Sequence, residues 1–111
     1  MPNYNKILLI GNLTNDPYSS QKSDKSITHF SIAVDEQWVD AGGERQKETL
    51  FIDVTAFNRP AELIMEQFCK GDPILVEGKL KMRRGFTSSK TFQHEVVLNR
   101  FEVIRSGDRG F

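Results

Sequence analysis

Alternation of apolar and polar residues with a period of two recurs along this chain in short runs, and only one stretch breaks into helical spacing. Each such run has one apolar face to bury, so the chain must fold as a small sheet that covers itself. The clearest run is Glu48 to Phe57, where Leu50, Ile52, Val54 and Ala56 face one way. Thr49, Phe51, Asp53, Thr55 and Phe57 face the other. Ile27 to Val34 repeats the pattern, with Phe30, Ile32 and Val34 opposite His29, Ser31 and Ala33. Lys6 to Leu13 is a β-rich run that the turn formers Thr14-Asn15-Asp16-Pro17 should end. The polar, serine-rich stretch from Tyr18 to Ser26 reads as a loop, and Asp40-Ala41-Gly42-Gly43 as a hairpin tip.

After Phe57 the spacing changes. Asn58-Arg59-Pro60 supplies a capping residue close to a proline suited to a first helical turn, and Ala61, Ile64, Met65 and Phe68 follow at helical intervals. Lys70 suits the end of such a helix, Gly71 can close it, and Cys69 falls inside it as a core or interface residue. Alternation returns in Ile74 to Arg84, where Ile74, Val76, Gly78, Leu80 and Met82 oppose Glu77, Lys79, Lys81 and Arg83. Thr91 to Ile104 is the last strand, and Gly78 marks a bulge or sharp bend. The predicted class is all-β with one short helix. Five strands with a helix between the third and fourth is the element order of an OB-fold, a five-stranded Greek-key barrel. At 111 residues the chain makes one domain, residues 1–105, with a short flexible end at 106–111.

The charges are balanced, 15 basic against 15 acidic, so bulk charge cannot attract a polyanion. They are segregated, however. Residues 35 to 53 hold six acids against two bases, whereas Lys79 to Lys90 hold Lys79, Lys81, Arg83, Arg84 and Lys90 with no acid. Strand alternation puts Lys79, Lys81 and Arg83 on one face, and Phe51 and Phe57 lie on the less apolar face of the preceding strand. Cations beside π-faces suit a flexible polyanion with bases to stack. The longest apolar runs are far below the ~20 residues that cross a bilayer, so no membrane partner is expected. A single cysteine and the absence of a leader-like N-terminus fit a reducing, cytoplasmic setting. His29 and His94 are isolated histidines, either structural or minor contacts, and neither sits at metal spacing with Cys69. No phosphate-cradling glycine motif or nucleophile with a base partner is present, so neither catalysis nor a cofactor or metal is expected.

Several separated blocks resemble one family. Asn5-Lys6-Ile7-Leu8-Leu9-Ile10-Gly11-Asn12-Leu13-Thr14 with Asp16-Pro17, then Phe30-Ser31-Ile32-Ala33-Val34 and Trp38, are similar to the opening of the bacterial single-stranded DNA-binding proteins. Glu48 to Phe57 with Pro60-Ala61-Glu62, and Lys70-Gly71-Asp72 leading to Val76-Glu77-Gly78-Lys79-Leu80, continue the match in order. The resemblance implies a homotetramer, at least a dimer, that wraps single-stranded DNA without sequence preference. It implies base stacking by Trp38, Phe51 and Phe57. A fourth family aromatic aligns with Gly85, and its neighbour Phe86 stacks on DNA, packs inward or does neither. The phosphate contacts expected are Lys6, Lys79, Lys81, Arg83, Arg84 and Lys90, and the oligomer contacts Lys6, Ile7, Leu8, Leu9 and Ile10. If Trp38 shares the face of Phe51, its strand must bend or end before it. The end Arg105-Ser-Gly-Asp-Arg-Gly-Phe111 has no acidic cluster, which argues against tail-mediated recruitment of replication proteins. From the residues alone, an RNA strand or a protein remains an alternative occupant of such a face.

Overall fold

The computed structural model describes residues 2–22, 25–83 and 93–104. Arg84, Gly85, Phe86, Lys90 and the end at 106–111 lie outside the described residues. Six strands and one helix run in the order β1 (Ile7–Leu13), β2 (Tyr18–Lys22), β3 (Lys25–Val39), β4 (Arg45–Phe57), α1 (Asn58–Gln67), β5 (Pro73–Arg83) and β6 (Gln93–Val103). Neighbouring strands follow β1-β5-β6-β4-β3, and Asn12 and Leu13 of β1 pair with Ala33 and Ile32 of β3, which closes a five-stranded ring. The β4–β6 pairing is parallel; the rest are antiparallel. This is the five-stranded closed sheet with one helix that the element order predicts. The extra strand β2 corrects the loop expected at Tyr18 to Ser26, because it pairs along the outer edge of β3.

The inward residues of the ring are those the alternation selects. Leu13, Phe30, Ile32, Val54, Ala56, Ile74, Val76, Val96 and Leu98 are buried together, and Ala61 and Ile64 of α1, with Phe68 just after it, join them. The buried Thr28 hydroxyl donates to the Ala61 carbonyl at 2.9 Å, so the helix is fixed by a satisfied polar contact. Two local expectations at the helix change. Asn58 does not cap it: Phe57 holds the N-cap position with no side-chain bond, and Asn58 takes φ +62°, turning the chain from β4 straight into α1. The helix ends at Gln67, so Cys69 lies beyond it and is exposed, with its thiol pKa raised by the hydrogen bond to Asp72. Lys70 and Gly71 accordingly belong to the following turn.

Two hairpins outrun the ring. The β3–β4 ladder continues unbroken from Ile27 opposite Phe57 to Val39 opposite Arg45, forming a two-stranded arm. Its tip is fixed by Asp40, whose carboxylate accepts from the Gly42 and Glu44 amides, each at 2.9 Å, and from the Gln46 side chain at 3.0 Å. These bonds hold the Asp40 pKa below its ordinary value, the Glu44 amide contributing most. Along the β5–β6 pairing, Leu80 and Met82 keep inward parity but are exposed, even though Leu80 stands opposite the buried Val96. At Gly78 the register slips between Glu77 and Gly78, the bulge expected there.

Candidate nucleic-acid interface

Strand pairing lines up the outward side chains in rows across the sheet. Tyr18, His29, Thr55, Val97 and Lys79 form one row across β2, β3, β4, β6 and β5. Ser31, Asp53, Glu95 and Lys81 form the next. Phe51 stands beyond the second row and Phe57 beyond the first, about 20 Å apart along β4 at ordinary strand rise. The Phe51 ring is 69% exposed and Phe57 36%. Phe51, Phe57, Lys79 and Lys81 therefore share the outer face, as the alternation implies.

An acid between the two rings would repel phosphate, and the structure pairs it with a base. Asp53 accepts from the Ser31 hydroxyl and pairs with the Arg83 guanidinium at 3.0 Å. Arg83 also donates through Nε to Glu95 at 2.9 Å, and this bond, with the Asp53 charge adding to it, raises the arginine pKa. Arg83, expected as a phosphate contact, is thus tied to two carboxylates and remains partly exposed. Lys79 and Lys81 are exposed and have no carboxylate partner among the described residues. Lys6 lies 3.7 Å from Glu77, which also meets Arg100 at 3.5 Å, so Lys6 sits in an ion-pair network away from the rings.

Trp38 is placed differently from Phe51 and Phe57. Because β3 neither bends nor ends before Val39, Trp38 keeps the parity of Phe30 and Ile32 and lies on the opposite pleat face from Phe51. It is 41% exposed only because the arm has left the core behind. The pleat also divides the residues expected at an oligomer contact. Ile7 and Leu9 pack against the core, whereas Lys6, Leu8 and Ile10 face out. From Ile7 to Ile10, β1 pairs only with β5, which leaves its other edge open among the described residues.

Sequence reasoning did not single out the Arg83–Asp53–Glu95 cluster or the Tyr18 end of the first row. The serine-rich composition hid β2, and partners 30 and 42 positions from Asp53 become visible only through strand register. No three potential metal-binding side chains come together among the described residues.

A closed five-stranded sheet packed against a helix, with rings and unpaired lysines on its outer face, is built like the OB barrels that bind oligonucleotides. The chain belongs to the single-strand binding protein family, whose model matches residues 4–104. It is 33% identical over 105 residues to single-stranded DNA-binding protein 2 of Streptococcus agalactiae serotype III, covering 93% of this chain and 79% of that protein. It is 29% identical over 110 residues to single-stranded DNA-binding protein 1 of Chlorobaculum tepidum, covering 96% and 68%. Among solved structures, the Plasmodium falciparum SSB complex with ssDNA superposes with a TM-score of 0.83 at 27% identity, covering 94% of this chain and 96% of that one. The wild-type Thermus aquaticus single-stranded DNA binding protein shares the fold at a TM-score of 0.80 and 23% identity, with 94% of this chain covering 52% of that one.

Proposed function

We propose that this chain binds and protects single-stranded DNA without sequence preference during replication, recombination and repair. Phe51 and Phe57 take over the stacking that bases lose when a duplex opens, while Lys79 and Lys81 hold phosphates. The observation that carries this reading is that rings and unpaired lysines share one outward face whose central acid is held in an ion pair with Arg83. Family membership and a structural neighbour solved with ssDNA support the same ligand. Trp38 meets the strand where it passes round the arm. The protein works in the cytoplasm by binding alone, with no bond made or broken and no cofactor.

Assembly into a homotetramer, through at least a dimer contact, uses the outward Leu8 and Ile10 and the open edge of β1, which an identical strand can extend. Linked barrels make later contacts on one strand intramolecular and so raise affinity without new chemistry.

Salt dependence tests the phosphate contacts. Oligo-dT affinity is expected to fall with salt, and the double variant Lys79→Gln with Lys81→Gln should make the slope of log K against log salt shallower by about 1.4, at ~0.7 per contact. Equal weakening across sequences accompanies this. An unchanged slope would remove these two lysines from the interface.

A further inference from the structure

We infer that the DNA track does not end at β4 but continues across β3 onto the added strand β2, with Tyr18, seated on His29, as a further base-stacking platform. The inference rests on the reading of the outer face as a single-stranded DNA site and extends it to a residue outside that face's recognised rings.

Three observations carry it. The first row is continuous in register: Lys79, Val97, Thr55, His29 and Tyr18 are neighbours across five strands, spanning about 19 Å at ordinary strand separation, with Thr55 itself buried beneath its neighbours. A nucleic-acid strand crossing the sheet along this row enters beside Lys79, passes between the Phe51 and Phe57 positions and leaves over Tyr18.

The far end of the row is also held in place. His29 Nε2 shares a hydrogen bond with the Ser20 hydroxyl at 2.9 Å, and Nδ1 shares one with the Thr55 hydroxyl at 3.2 Å. With both ring nitrogens engaged, the imidazole cannot swing, and Tyr18 lies against it at a centroid distance of 5.4 Å and a tilt of 34°. A platform fixed before binding loses little entropy when a base arrives.

Tyr18 is nonetheless open. It is 59% exposed, so one side of the ring rests on His29 and the rest faces outward. Neither fold stability nor edge protection needs a large ring here, since a short polar strand already discourages edge pairing. Lys25, exposed two positions beyond Ile27 on the same face of β3, supplies a cation past the Phe57 row. A base needs a π-face and its phosphate a charge, and both are present.

The test uses the full chain and fluorescently labelled oligo-dT of increasing length, with Tyr18→Ala, Tyr18→Leu and Tyr18→Phe compared with the unmodified chain and with Phe51→Ala. Tyr18→Leu keeps apolar cover over His29 and separates loss of the ring from loosening of β2. On long strands the Ala and Leu variants are expected to bind about 5- to 150-fold more weakly, and Tyr18→Phe to bind normally. On the shortest strands that still respond to Phe51→Ala, Tyr18→Ala should have no effect. Irradiation with 5-iodouracil oligonucleotides should cross-link the peptide holding Tyr18. If the unmodified chain binds and Phe51→Ala weakens it, but Tyr18→Ala and Tyr18→Leu bind normally at every length, this inference fails while the site at β4 stands. If the unmodified chain does not bind single strands, the functional reading itself fails.

Discussion

Replacing Phe51 by alanine is expected to weaken oligo-dT binding by about 1–3 kcal/mol, roughly 5- to 150-fold, with little change in thermal stability. The ring is more than two-thirds exposed, so its removal takes little from the core. Phe57→Ala should cost a similar amount of affinity, with some loss of stability because this ring is better covered. The two rings are about 20 Å apart along β4, beyond the range where neighbouring substitutions couple, so their effects should add to about 2–6 kcal/mol in the double variant. Leucine at both positions separates stacking from burial, since it restores apolar cover but offers no π-face. Fluorescence anisotropy at fixed salt, with melting curves alongside, measures both quantities. Normal affinity in the double alanine variant would mean that bases stack elsewhere.

Among the described glycines, Gly78→Ala is expected to produce the largest loss of stability. A Cβ at Gly78 would lie 2.1 Å from the Val97 carbonyl oxygen, 2.9 Å from its carbon and 3.1 Å from the Leu98 Cα, all backbone atoms of β6. No side chain can swing aside, so the strand itself must move where the register already slips. Overpacking of this kind costs about 1–3 kcal/mol and more where backbone must shift, so ~3 kcal/mol is expected here. For a domain of this size that lowers the melting midpoint by about 10–20 °C. Gly42→Ala is the control: its added Cβ meets only an Asp40 carboxylate oxygen, at an ordinary contact distance of 3.5 Å. Affinity should fall with Gly78→Ala as well, because forcing β5 and β6 apart at this point shifts the strand that carries Lys79 and Lys81.

What the sequence made legible follows from period and reach. Phe51 and Phe57 could be read as outward because Leu50, Ile52, Val54 and Ala56 alternate with them in sequence, and the bulge at Gly78 because a glycine inside a strand marks such a site. The face of Asp53 was legible, but not its partner. Lys79 and Arg83 both share its face, and only the register of β4, β6 and β5 puts the guanidinium against it. Trp38 eluded the reading because period-two parity was correct while burial was not; the arm extends past the core, so an inward residue is exposed. Strand β2 was hidden because Tyr-Ser-Ser-Gln-Lys has no apolar face, and an edge strand packed on one neighbour does not need one.

The two large predictions concern separable parts of one design. The ring sets the geometry of the outer face, and the exposed side chains on that face supply affinity. Damage at Gly78 should therefore lower stability and binding together, whereas damage at Phe51 should lower binding alone.

The most direct measurement is amide chemical-shift mapping of the isotopically labelled full chain during titration with oligo-dT. The largest changes are expected at Phe51, Asp53, Phe57, Lys79 and Lys81, with little change on the exposed side of α1 around Glu62 and Glu66. Saturable binding with its largest changes on α1, and none at Phe51, Phe57, Lys79 or Lys81, would contradict the assignment of the outer face as the DNA site.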